Sequence, residues 1–192
     1  MKRSEAVVEL KSTWTILSAD LSEAALNENT ENSQFSKRAL VRAFFAQVEG
    51  LLFQLRQVTL ASLGGTEYLS DAEVQLLREV RHSLDEKGFP RKTPNHLAFP
   101  ASVLFSVIVY EKNHGATFEP DIAINGCASF KRATAVRNRV THPKSAAALQ
   151  IADSDLRNLE EAASWWQAQL LAMFSKCHEA DEYWTAKLTE RK

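Results

Sequence analysis

The sequence predicts an all-α protein, an antiparallel bundle of about five to seven helices. Three observations carry that expectation. Apolar residues recur at steps of three and four along most of the chain. The breaks between those periodic segments hold clusters of Gly, Pro or Asn. The one β-rich stretch has no partner strand elsewhere in the sequence. A length of 192 residues suits one domain with a substantial core and is short for two.

A first helix is expected over 5–26, with Val7, Leu10, Trp14, Leu17 and Leu21 on one face. The Asn-rich stretch 27–34 reads as a loop. The clearest helix covers 38–62, where Val41, Phe44, Phe45, Val48, Leu51, Leu52, Leu55 and Val58 share a face until Gly64-Gly65 stops it. Ser70 or Asp71 can cap a third helix carrying Val74, Leu77 and Leu84 and ending near Lys87-Gly88. A loop with three prolines follows, from Phe89 to Pro100. Residues 101–112 have strand-like composition, but Pro100 suits a helix start and His114-Gly115 a helix end, so a helix is expected. Another helix spans 122–142 with Phe130, Ala133, Val136 and Val140 inward, and Pro143 ends it. The last long helix opens at Asp153 or Ser154 and runs to Cys177. A short helix over 179–190, with Tyr183 and Trp184 inward, packs on it.

Apolar residues make up 45% and charged residues 24%, with a net charge of −1, so any attraction to nucleic acid must be local. Cys127 and Cys177 have no pairing motif, no apolar signal core follows Met1–Glu5, and no run is long enough to span a membrane. A cytoplasmic protein with reduced thiols and no membrane partner is the simplest expectation.

The chemically informative stretch is Arg137-Asn138-Arg139-Val140-Thr141-His142-Pro143, an Arg-x4-His pair at the end of a helix. With twelve Arg and five His in the chain, such spacings arise about once by chance. Arg91 and His96 form a second copy, but in a proline-rich loop where nothing fixes one against the other. The 137–142 copy also lies in a local basic field. From Ile122 to Ala152 there is no Asp or Glu, while Lys131, Arg132, Arg137, Arg139 and Lys144 give +5, leaving −6 for the remainder. Such a strip suits a phosphodiester substrate, and it suits equally a solvated helix face that lacks acids.

The motif resembles the signature of HEPN domains, small helical bundles in which Arg, a polar residue and a His lie at the end of a helix that precedes a long closing helix. In helix order the resemblance covers roughly residues 35–177, with the helices over 5–26 and 179–190 packed on that core. It implies a metal-independent, cofactor-free endoribonuclease. Arg137 would stabilise charge on the phosphorane oxygens. His142 would move the proton of the 2′-hydroxyl. Asn138 would orient the His or contact phosphate. The resemblance also implies a homodimer, in which two motifs face each other across a two-fold axis. It further implies a toxin or anti-phage defence role with a possible antitoxin or other regulatory partner. Where many HEPN toxins carry a Tyr that the antitoxin modifies, two residues after the His, this chain has Lys144, which argues against regulation by modification there. Lys131, Arg132, Arg139 and Lys144 are the candidate RNA contacts.

Each assignment has a plainer counterpart. Arg137 and His142 also suit the negative end of a helix dipole. Glu49 can be an acid supporting the Arg–His pair, or part of a surface ion stripe with Arg42 and Arg56, seven residues away on either side. Trp166 is expected in the core and the offset Trp165 at an interface or stacked on a base. His82, His96, His114 and His178 are isolated and receive no role. A non-catalytic RNA-binding or interaction module and a plain helical scaffold are the competing functions.

Overall fold

The computed structural model describes residues 2–62, 69–95, 97–117, 119–123 and 125–190, except the side chains of residues 184, 188 and 190. Among these, six helices and one β-hairpin follow in the order α1 (Arg3–Glu31), α2 (Gln34–Ser62), α3 (Asp71–Leu77), β1 (Val80–Leu84), β2 (Pro90–Pro94), α4 (Phe99–Lys112), α5 (Asn125–Thr141) and α6 (Asp153–Glu190). The fold is the mostly helical bundle that the periodicity predicts. No helix is long and apolar enough to cross a membrane among the described residues.

α1 and α2 form an antiparallel pair whose register is fixed by Gln47 and Gln54, which donate to Ser18 and Thr13 at 3.0 and 3.3 Å. The expected loop over 27–34 shrinks to two residues. Asn32 takes a left-handed φ of 46° and its N–H closes on the Glu28 carbonyl at 2.8 Å. Ser33 then caps α2 by accepting from the Ser36 N–H at 3.0 Å. Asn is only a modestly poor helix former, so α1 continues through the polar stretch although most of it is exposed, and a single left-handed Asn ends it. Gly64 and Gly65, the expected stop of α2, lie outside the described residues.

The third helix is much shorter than its apolar spacing suggests. Ser70 caps it in a reciprocal box with Glu73, as expected, but α3 ends at Leu77. Glu79 adopts φ 52°, and the chain turns into an antiparallel hairpin in register Val80–Pro94 to Leu84–Pro90. Asp85 makes the turn. Its side chain accepts from the N–H groups of Lys87 and Phe89, and Gly88 supplies φ 79°. Leu84, assigned to the helical face, is 71% exposed. Two of the three prolines fall at the first and last positions of β2, where no ladder N–H is lost at its centre, and Pro100 sits in the first turn of α4.

Glu73 also ties α3 to α4 through Lys112, at 2.9 Å. Burial raises the Glu73 carboxyl, but hydrogen bonds from Lys112 and Ser70 outweigh it and hold the group below its ordinary value.

The core is organised around aromatic rings from four helices. Phe130 of α5 meets Phe44 and Phe45 of α2 at 6.3 and 6.0 Å, Phe99 of α4 at 6.1 Å and Trp165 of α6 at 5.3 Å between centroids. The inward positions expected for α5, Phe130, Ala133, Val136 and Val140, are all buried. α5 and α6 run antiparallel in close contact. A Cβ at Gly126 would stand 2.5 Å from the Trp165 Cβ, so only glycine permits this approach.

Two expectations for the closing segment are corrected. α6 is one helix of 38 residues, because no Gly or Pro interrupts 153–190, and no separate C-terminal helix packs back on it. Tyr183 is 55% exposed, not core, and the Trp184 side chain lies outside the described set. Trp165 is buried, not at a surface. It packs on Phe130 and its indole N–H donates to the Asp121 carbonyl at 2.8 Å, while Trp166 is buried on the adjoining arc of α6. The second Arg–His copy is split: Arg91 lies on β2, and His96 is outside the described residues.

Two measurements check this packing. Phe130→Ala is expected to lower stability by about 3–5 kcal/mol in denaturant titration, and Phe130→Leu by much less, because the ring joins four helices. Cys127 and Cys177 are free and buried, and burial pushes the Cys177 thiol up to about 12, helped by Glu111 and Asp181. Neither thiol should react with a disulfide reagent at neutral pH until the protein is unfolded.

Candidate active site

The motif occupies the last turn of α5 and the residues after it. Arg137 leans from α5 toward α2, where its Nη2 donates to Glu49 Oε1 at 2.5 Å. Its Nη1 donates to Asn138 Oδ1 at 3.0 Å, and its guanidinium lies over the Phe99 ring, 5.7 Å from the centroid. Three elements therefore orient one guanidinium, which keeps 25% of its side-chain surface open to solvent. A planar, permanently charged group held in this way is suited to a phosphate oxygen. Phe99 belongs to this arrangement and is not apparent from sequence, since its contact with Arg137 joins two distant segments.

His142 follows the helix directly. Its N–H closes the last turn on the Asn138 carbonyl at 2.9 Å, and the residue is exposed. The five-residue step puts it about 140° around the helix axis from Arg137. Among the described residues no hydrogen bond joins the two side chains, and none engages the His142 ring. Lys131, Asn138 and His142, at spacings of seven and four, share one exposed face of α5.

The segment after His142 is held in place rather than left loose. Arg139 donates from Nη1 to the carbonyls of Ala148 and Gln150 at 2.9 and 2.5 Å and pairs through Nη2 with Asp155. From the opposite side, Gln34 exchanges two hydrogen bonds with the Ile151 backbone at 2.9 and 2.8 Å, and Arg38 donates to the Leu149 carbonyl at 3.2 Å. These contacts order a 3-10 turn over Ala146–Leu149 and so set the path from His142 to α6.

The basic strip is less free than its composition suggests. Arg137 is matched by Glu49 and Arg139 by Asp155. Arg132 donates to Asn158 and to Ser129 at 2.6 Å each, and Ser129 in turn donates to Glu161. The acids absent from α5 are supplied by α2 and α6. Only Lys131 and Lys144, both exposed, have no hydrogen bond or ion pair among the described residues. The surface stripe of Arg42, Glu49 and Arg56 does not form. Arg42 is exposed, Glu49 serves Arg137, and Arg56 is buried against α4, with Nε donating to Ser106 at 2.7 Å and Nη1 pairing with Glu79 at 2.5 Å. Among the described residues no group of three or more His, Cys, Asp or Glu is placed to hold a metal ion.

Since the Arg137–Glu49 pair is partly exposed on both sides, its net contribution to stability is expected to be below about 1 kcal/mol. Glu49→Ala and Arg137→Ala should each leave the melting temperature nearly unchanged. A large drop in either would mark the pair as a structural strut.

Comparison of the chain with models of protein families, with curated proteins and with solved structures gives no match in any of the three.

Proposed function

We propose that the end of α5 forms half of an RNA-cleaving site, completed by a second copy of the chain across a two-fold axis. The observation that carries this reading is the fixed Arg137 guanidinium. It is gripped by Glu49, Asn138 and Phe99, yet still open to solvent, five residues before an exposed, unengaged His142. A terminal arginine that only served the helix dipole would need none of these three partners. The resemblance of the motif to HEPN ribonucleases agrees with this reading.

In the proposed reaction His142 of one copy takes the 2′-hydroxyl proton and the oxygen attacks the adjacent phosphorus. The bond to the 5′-oxygen breaks, and a second imidazole protonates the leaving oxygen. The products are a 2′,3′-cyclic phosphate and a 5′-hydroxyl. Arg137 stabilises the phosphorane oxygens. Glu49 is a positioning residue, acting through Arg137. Lys131 and Lys144 are the free cations for the flanking backbone. Arg132 and Arg139 have their guanidinium groups partly committed to the fold and serve that role less. The wider biological role, a toxin or defence effector held by an antitoxin, rests on the resemblance alone.

A binding module without catalysis is the second reading. It is favoured by the placement of Arg137 and His142 on different sides of the helix and by the carboxylate already on Arg137. The two readings part in one assay. Purified protein is incubated with a mixed RNA pool in EDTA beside Arg137→Ala and His142→Ala. Cleavage by the wild type with cyclic-phosphate ends, reduced about a hundredfold or more in each variant, is the expected result. Salt-sensitive RNA binding that survives His142→Ala, without cleavage, would establish the binding module instead.

A further inference from the structure

We propose that the β1–β2 hairpin is an arm that contacts the sugar–phosphate backbone of the nucleic acid presented to α5. This rests on the reading of α5 as an RNA site. A two-stranded ribbon with no covered face is marginal in water, and here eight of the ten strand positions are exposed and the other two only half-buried. The two strands carry Arg81, Arg91 and Lys92 and no acid. Register places Arg81 opposite Thr93 and Arg91 opposite Ser83, so the two arginines lie diagonally on one face, flanked by hydroxyls. Lys92 lies on the other face opposite His82. Of the two acids at the tip, Asp85 spends its carboxylate on the turn. Apart from the exposed Leu84 and the two prolines at the strand ends, the surface of the strands is therefore cationic and rich in hydrogen-bond donors, which matches phosphate chemistry.

The hairpin is also aimed. Its base is Glu79, held at φ 52°, whose carboxylate takes the buried Arg56 guanidinium at 2.5 Å, while the Asn95 N–H closes on the Glu79 carbonyl at 2.8 Å. A non-glycine residue in this region and a buried cation both carry a cost, and both serve here to set the direction of the ribbon. Arg56 lies seven residues from Glu49 on α2, two helical turns or about 10 Å along the axis. β2 leads within five residues to Phe99, the ring under Arg137. The hairpin thus leaves the body on the helices that carry the candidate site.

The test uses the full chain and a 2′-O-methylated RNA oligonucleotide, which cannot be cleaved, with affinity read by fluorescence anisotropy across a salt series. R81Q/R91Q/K92Q should weaken binding about tenfold or more at low salt and make the slope of log affinity against log salt shallower by about 0.7 per lost phosphate contact. R81K/R91K should retain binding, since a backbone contact needs charge more than fork geometry. An unchanged melting temperature shows that the variants are folded. Wild-type affinity in the triple variant overturns the arm and leaves the α5 site standing. Hairpin-dependent binding by a wild type that cleaves no RNA upholds the arm and removes the nuclease reading. Absence of RNA binding in the wild type overturns both, and a change of oligomeric state in the triple variant, without a change in RNA affinity, overturns the arm in favour of a protein interface.

Discussion

The Phe130 ring is the contact on which three other helices converge. Rings from α2, α4 and α6 meet it, and each of those contacts has a consequence at the surface. Stacking with Phe99 places the start of α4 beneath the end of α5, where Phe99 also underlies Arg137. Packing on Trp165 draws α6 against α5 closely enough that only glycine fits at position 126. Contact with Phe44 and Phe45 sets the distance between α5 and α2, and so brings Glu49 within reach of Arg137. Close packing transmits such constraints because a dense interior has few alternative arrangements.

Charge in this protein is distributed by element rather than by side. α5 and the segment after it hold cations without acids, and the acids that meet them come from α2 and α6. Three of the five cations are consequently built into the fold to some degree. That arrangement trades free positive potential for orientation. An arginine held by carboxylate, amide and ring loses little further side-chain freedom on meeting a phosphate, whereas the free Lys131 and Lys144 offer steering at higher entropic cost.

The hairpin draws little support from the core. Leu77 is buried, but the strands beyond it are open on both faces. Its placement depends on polar contacts at its base, chiefly Arg56, whose guanidinium is also bonded to Ser102 and Ser106 of α4. A buried cation surrounded by hydroxyls and one carboxylate specifies a direction more than it adds stability.

Apolar spacing every three or four residues made α1, α2, α5 and most of α6 legible, because a helix packed on a core shows an apolar stripe, while α4 was legible from its ends, Pro100 and His114-Gly115, and not from its strand-like composition. The cap at Ser70 was legible for the same local reason, and so was the position of His142 just beyond α5, since Pro143 ends the helix. Only the tertiary structure decided what cannot be read locally. Spacing made Leu84 look like a helical core residue, while the Asp85 and Gly88 turn made the ribbon. The polar run at 27–34 looked like a loop, while α1 runs on through it and only Asn32 and Ser33 break the chain between α1 and α2. Position 165 looked offset, while α6 proved to be covered on two adjoining sides. In the candidate site, Arg137, Asn138 and His142 were visible as a motif, and Glu49 as one possible partner among several. The grip of Glu49 and Phe99 on Arg137, and the pairing of Arg139 with Asp155, join segments far apart in the chain. The physical reason is common to all of these: local spacing reports which face of an element is apolar, whereas the partner of a charge is set by which elements the core brings side by side.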